Sequence, residues 1–244
     1  MSTIAAPKED QSVLDVSRTE STIPTIRSIP KTEASRVQVQ GPRNFAWKLR
    51  TAGDRVVALA LVIMALPLLL TIAAMVRLDS RGPVIFRQPR FGRNAQPFDC
   101  LKFRTMRTDM TDVSGGRQTA NDDPRVTRVG YFLRRSSLDE LPQLLNVLRG
   151  EMALIGPRAH PCGMRVAGQL CEDLVPNYHN RHAILPGITG LAQVSGSRGA
   201  VKDIEALEDR VALDCAYIAL WSPALDFKIV MRTVKTVLST KQAF

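Results

Sequence analysis

Aromatic residues are scarce in this chain: two Trp, three Tyr and eight Phe among 244 residues. No basic-aromatic platform on which bases could stack and no recognition-helix signature appears among them, which argues against nucleic acid as the partner. Cysteine is equally thin. Cys100, Cys162, Cys171 and Cys215 form no C-x-x-C pair and are too few for a disulfide framework, so they are expected to be reduced thiols. Of the three histidines, His179 and His182 could offer a ligand pair, but that spacing alone reads as solvated or structural rather than as a zinc site. The phosphate loops GxxxxGK[ST] and GxGxxG are both missing, so phosphate chemistry would have to be assembled from scattered side chains.

What is abundant is positive charge. The net charge is +10, yet residues 1–42 hold five basic and five acidic residues, so the whole excess lies beyond them. Such a surplus favours an anionic partner, whether nucleotide phosphates, lipid headgroups or nucleic acid, and charge alone does not choose. The length suits one domain with a real core plus appendages. Residues 1–42 contain 15 Ser, Thr or Pro and no sustained hydrophobic period. They read as a disordered leader, without the apolar core of a signal peptide.

The longest hydrophobic run is VVALALVIMALPLLLTIAAMV, Val56 to Val76, 21 residues without a charge. As one helix it would reach roughly 32 Å at about 1.5 Å per residue, against a hydrocarbon core of about 30 Å, so membrane contact is expected. Pro67 near its middle deletes a backbone hydrogen bond and clashes with the preceding turn. Hydropathy alone leaves two topologies open, a kinked span and a hairpin that re-emerges on the same face. Arg43, Lys48, Arg50 and Arg55 precede the run, and Arg77, Arg81, Arg87, Arg90 and Arg93 follow it. Both ends therefore look cytoplasmic by the positive-inside rule.

Beyond the run, GPVIFRQPRFG and PFDCLKFRTM are β-prone stretches around the turn-rich GRNAQ, which predicts a hairpin. Residues 109–127 read as a polar loop. Leu141, Leu144, Leu145 and Leu148 recur at helical spacing and predict an amphipathic helix from Leu138. ILPGITGLAQVSGSRG reads as glycine-punctuated loop. Lys202 to Leu220 has helical character ended by Ser222-Pro223, and Ala224 to Leu238 reads as a further amphipathic helix, packed on the core or lying in a membrane interface.

Within SSLDELPQLLNVLRGEMALIGPRAHP, Asp139 and Glu140 stand side by side at the predicted helix start. One reading is purely structural. Ser137 and Glu140 have capping-box spacing, Pro142 falls in the first turn, and carboxylates are favoured at helix N-termini. Against it, one acid would suffice for a cap, and Arg134, Arg135 and Arg158 flank the pair.

Taken together, FRQPRFG, KFRTM, DPRVTRVGYFLRRSSLDELPQLLNVLRGEMALIGPR, PGITGLAQVSG and LDCAYI resemble the monotopic bacterial sugar transferases, the small polyprenyl-phosphate phosphoglycosyl transferases. The resemblance covers about residues 44–244. It implies an α+β fold: a helix-rich cytosolic catalytic domain over 81–244 with a short β-hairpin, and amphipathic interfacial helices. Residues 43–80 would form a Pro-broken re-entrant membrane helix, with Pro67 at its break. It further implies transfer of a sugar 1-phosphate from a UDP-sugar, foremost UDP-glucose, to undecaprenyl phosphate with release of UMP. The reaction would occur at the cytoplasmic face of the bacterial inner membrane and begin exopolysaccharide or O-antigen repeat-unit synthesis. By the family motif Asp139 is the nucleophile and a ligand of a required Mg²⁺, and Glu140 assists the proton or metal work. Lys102, Arg134, Arg158 and Asp214 are marked as substrate-binding positions. UDP-galactose, a UDP-N-acetyl sugar, and a non-catalytic membrane-anchored binding protein stand as alternatives. Two departures from the family pattern are visible: GPRAHP where relatives commonly read GPRP, and Leu66-Pro67 where Ser-Pro is common.

Overall fold

The computed structural model describes residues 45–108 and 123–238. The leader read over 1–42 and most of the polar loop read over 109–127 lie outside the described residues.

The first element, α1 (Phe45–Asp79), is 35 residues long, with Pro67 inside it. Its best 18-residue window has a mean hydropathy of 2.8 and is only 11% buried. Helix continues on both sides of Pro67, so any change of direction there is a bend within the helix rather than a break in it. A backbone group stripped of its partner in apolar surroundings costs several kcal/mol, about the cost of one lost ladder bond, and keeping the rest of the ladder limits the damage to that one. Thr71 Oγ1 donates to the Pro67 carbonyl at 2.9 Å.

Both ends of α1 are fastened to the remainder of the molecule. Near the start, Trp47 packs with Ile155, Tyr217 and Ile229. There Arg50 donates to Asp226 at 2.8 Å, and Asp226 also accepts from Tyr217 at 2.6 Å and Trp221 at 3.0 Å. In the middle, Ala58 packs against Cys100, Leu144, Val147 and Met152. Towards the end, Ile72 and Val76 pack with Phe103 and Leu133, and Arg104 collects the carbonyls of Val76 and Ser80 at 3.1 and 2.6 Å.

The predicted hairpin is present as β1 (Ile85–Phe91) and β2 (Pro97–Phe103), antiparallel with Ile85 opposite Phe103 and Phe91 opposite Pro97. Next comes α2 (Arg128–Ser136), capped by the Thr127 side chain, which accepts from the Gly130 N–H at 3.0 Å. At Gly130 a Cβ would meet the Thr105 carbonyl at 2.1 Å, so only glycine lets α2 lie this close to the end of the hairpin. A 3₁₀ turn (Leu138–Glu140) leads to α3 (Gln143–Arg149) and β3 (Ala153–Ile155). A small hairpin of β4 (Arg165–Val166) and β5 (Gln169–Leu170) precedes α4 (Cys171–Leu174) and a 3₁₀ segment (Tyr178–His182).

The stretch expected to be glycine-punctuated loop contains β6 (Gly187–Thr189), parallel to β3, and the short α5 (Leu191–Val194). The last two helices fall where the pattern placed them: α6 (Ile204–Ala219), capped by Asp203, and α7 (Pro223–Leu238). On α7, Leu225 and Ile229 are buried while Phe227 and Met231 are exposed, an amphipathic helix packed by one face.

The expected capping box at Ser137 does not form. Ser137 is the left-handed C-cap of α2, at φ 58°, and its side chain makes no cap bond. The helix proper starts only after Pro142, and Glu140 turns to basic partners instead of back to the Ser137 amide. All four cysteines are free thiols.

Asn146 on α3 shows how the helix is tied to the hairpin. Fully buried, it accepts from the Leu101 N–H at 3.0 Å and donates to the Asp99 carbonyl at 2.8 Å and to Glu151 at 2.7 Å. Asn146→Ala leaves the Leu101 amide and the Asp99 carbonyl without partners and should cost about 1–3 kcal/mol. Thermal unfolding of the detergent-solubilised chain should show a drop of several degrees; an unchanged midpoint would mean the tie is dispensable.

Candidate active site

A cavity of about 890 Å³ opens between the hairpin, α2, the loop after β3 and the start of α6. Among the described residues its wall carries Arg90, Lys102, Arg125, Arg134, Arg158, Arg198, Lys202 and Arg210 against two acids, Asp139 and Glu140. Leu61 and Ala65 of α1, Leu141, Leu144 and Ile188 give it an apolar side, so the space joins a cationic chamber to the apolar helix.

The chain must turn sharply to present the two acids. Ser137 adopts the left-handed conformation, which costs a non-glycine residue roughly 1–2 kcal/mol, and Arg198 Nη2 donates to its Oγ at 2.7 Å. The turn lets Leu138 pack against the cluster of Ile72, Val76, Phe103 and Leu133 while Asp139 and Glu140 line the cavity.

The two carboxylates then part company. Glu140 is held tightly: Oε1 accepts from Lys102 at 2.8 Å and Arg158 Nη2 at 2.7 Å, and Oε2 from Arg158 Nη1 at 3.4 Å. Burial alone would raise its pKa, but Arg158 and Lys102 overcome that and hold it well below the usual carboxylate range. In return Glu140 raises the pKa of Arg158. Asp139 is only 8% exposed and makes no hydrogen bond or ion pair among the described residues. Burial pushes its pKa up, with the neighbouring Glu140 adding, against the pull of Lys102, Arg134 and Arg158. One acid is committed and the other is available.

Of the site residues taken from the resemblance, Lys102, Arg134, Asp139, Glu140 and Arg158 meet in this cavity. Arg134 is braced by Thr105, to whose Oγ1 its Nε donates at 2.8 Å. Asp214 does not join them. It is 1% exposed, lies behind the cavity wall and is paired with Arg181 at 2.5 Å. Pro67 sits close in sequence to Leu61 and Ala65 but does not itself line the space.

Sequence reasoning passed over several wall residues. Arg90 donates to the Ala159 carbonyl at 2.6 Å and to Gln88, so the hairpin holds the loop that carries Arg158. Arg210 donates to Ser197 Oγ at 3.0 Å and to the Gly199 carbonyl at 3.1 Å, and burial followed by repulsion from Arg158 pushes its pKa down to about 10. Among the described residues neither Arg90 nor Arg210 is ion-paired to a carboxylate, so their positive charge on the wall is left to favour an anion. His160 also borders the cavity, and its buried Nε2 lacks a partner while Nδ1 lies 2.7 Å from the Tyr178 hydroxyl. The His179 and His182 rings meet Phe91 and Tyr178 in edge-on and tilted contacts, His179 lies 3.4 Å from Glu172, and burial pushes the pKa of His182 down to about 2.

The donor set suits Mg²⁺ in one form. Among the described residues no group of three His, Cys, Asp or Glu could hold a metal. Mg²⁺, however, is commonly bound by one or two carboxylates together with substrate phosphates. Asp139, with its oxygens unengaged, fits that role, whereas Glu140 is already occupied.

Residues 45–240 match the family described as bacterial sugar transferase. The chain belongs to that family. Among relatives of this bacterial sugar transferase, it is 47% identical to an exopolysaccharide production protein, PSS, from Rhizobium leguminosarum bv. phaseoli, over 80% of this chain and 98% of that one. It is 49% identical to an undecaprenyl-phosphate glucose phosphotransferase from Komagataeibacter xylinus, over 80% of this chain but 37% of that protein. A UDP-glucose:undecaprenyl-phosphate glucose-1-phosphate transferase from Caulobacter vibrioides is 47% identical, over 78% of this chain and 70% of its own. The chain thus spans nearly the whole of one relative and little more than a third of another.

The unequal environments of the two acids can be read directly. In a carboxyl-¹³C-labelled sample, the aspartate resonance that vanishes in Asp139→Asn should titrate above the ordinary aspartate range. Lys102→Met removes a cation that lowers Asp139, so that titration should move further up in pH. If the Asp139 resonance titrated at or below the ordinary value, it would contradict the geometry.

Proposed function

We propose that this bacterial sugar transferase moves a sugar 1-phosphate from a UDP-sugar, foremost UDP-glucose, to undecaprenyl phosphate, with Asp139 as the attacking group. The observation carrying this reading is the buried, uncommitted carboxylate of Asp139 in a chamber whose wall is rich in cations. The names of the relatives supply the substrates.

The chamber addresses the main obstacle. Bringing a carboxylate to a diphosphate sets like charges about 4 Å apart, which costs about 4 kcal/mol per pair at an effective dielectric near 20. Arg134, Arg158 and the cations around them neutralise the diphosphate and stabilise the charge that gathers on the leaving phosphate. An Asp139 oxygen attacks the sugar-bearing phosphorus, an Asp–O–P bond forms, and the P–O bond to UMP breaks with its electron pair leaving on UMP. The lipid phosphate oxygen then attacks the same phosphorus and displaces the carboxylate, so the anomeric C–O bond stays intact. Glu140 keeps Lys102 and Arg158 in place throughout. When bound at Asp139 with the donor's phosphates, Mg²⁺ supplies further charge neutralisation.

We place the catalytic body on the cytoplasmic face of the inner membrane, with α1 dipping into that leaflet and returning. Contacts at Trp47, Arg50, Ala58, Ile72 and Val76 support this, because a straight 35-residue helix is about 52 Å long and a crossing would carry one end away from the body. The arginines on both flanks agree. The apolar side of the cavity at Leu61 and Ala65 would admit the polyprenyl phosphate from the lipid. In this reading the product opens the assembly of a polysaccharide repeat unit.

Purified chain should release UMP and form a sugar-phospholipid from undecaprenyl phosphate and one member of a panel of UDP-glucose, UDP-galactose and UDP-N-acetyl sugars. Absence of UMP with every donor would remove the reading, and a clear preference for a donor other than UDP-glucose would correct the substrate. Asp139→Asn should lower transfer by at least about 10³-fold with the fold retained, and Glu140→Gln severely. Chelation with EDTA should stop UMP release and added Mg²⁺ restore it; unchanged turnover under chelation would exclude the metal.

A further inference from the structure

Arg158 is gripped by Glu140 at its guanidinium, and its backbone is gripped from behind. Arg181 and Asp214 are 0% and 1% exposed, and Arg181 donates to Asp214 Oδ2 through Nη2 at 2.5 Å and Nε at 3.0 Å. The same Nη2 donates to the Arg158 carbonyl at 2.6 Å. Neither residue lines the cavity.

We propose that Arg181 and Asp214 are positioning residues for sugar-phosphate transfer, a buried ion pair in which Asp214 holds Arg181 against the C=O of Arg158 and so sets where its guanidinium stands. This rests on the function proposed above and gives Asp214 a role that involves no contact with substrate. A buried pair is weak evidence for stability, since burying two charges offsets much of their attraction. What it provides here is directed hydrogen bonding at one residue. The neighbours of Arg158 have other anchors: Pro157 O accepts from Gly187 N at 2.9 Å, Ala159 O from Arg90 at 2.6 Å, and His160 O from Phe91 N at 3.0 Å. Releasing the clasp therefore leaves the loop attached and frees Arg158 itself, whose long side chain magnifies a small rotation of the backbone. Such a misplacement of about 1 Å can cost on the order of 10²-fold in rate.

The test is a double-mutant cycle on single-turnover UMP formation from radiolabelled UDP-glucose, with enzyme in excess so that slow variants are measurable. Asp214→Asn should lower the rate about 10- to 100-fold in the otherwise unchanged chain. In an Arg158→Ala background, where the clasp has no guanidinium to place, the same substitution should change it less than about threefold. Equal losses in both backgrounds would overturn the proposal, because a direct contact or a general loosening acts whether or not Arg158 is present. No loss in either background would overturn it too. If Asp214→Asn lowers the unfolding temperature, Arg181→Met with Asp214→Leu removes the pair without stranding a charge, and the same pattern is expected. No UMP from the unsubstituted chain would instead remove the underlying function, and this role with it.

Discussion

The site depends on Glu140 being spent. By taking up Lys102 and Arg158 with both oxygens, it stays ionised in a buried place and fixes two cations at the mouth of the chamber. Asp139, one residue earlier, then has no partner and an environment that burial makes unwelcoming to its charge. In the proposed reaction a desolvated carboxylate held beside cations it does not touch is the attacking group, and those cations would offset the charge of a diphosphate. Were the acids treated alike, both would be ion-paired and neither available.

Much of the rest of the fold serves that inequality. The hairpin delivers Lys102 and, through Arg90, braces the Arg158 loop; Gly130 brings α2 close enough for Arg134 to rest on Thr105; the left-handed Ser137 aims the two acids inward. Helix α1 ties these parts together by contacts at its start, middle and end, so the apolar segment is structural cement for the catalytic body as well as a membrane element.

The hairpin, α6 and α7 were legible because period and turn chemistry mark them directly. Helix α1 was legible by length, although the continuity of helix through Pro67 was not. The capping-box reading failed for a clear reason: Glu140 had a better offer from Arg158, 18 residues away, which local spacing cannot reveal. The same blindness hid Arg181. His179 and His182 are the conspicuous side chains of that stretch, yet the arginine between them is the residue that reaches Asp214, 33 positions on. Long-range pairs of buried charge leave no periodic trace, so the family motif that marks Asp214 could not show its pairing with Arg181.

The central claim is that Asp139 takes the phosphosugar onto itself. Incubating the chain with UDP-glucose in the absence of lipid acceptor, quenching, and mapping the digested protein by mass spectrometry tests it most directly. A hexose-phosphate mass on the peptide containing Asp139, absent in Asp139→Asn, is the result expected. UMP release with that peptide unmodified at every time sampled would contradict it.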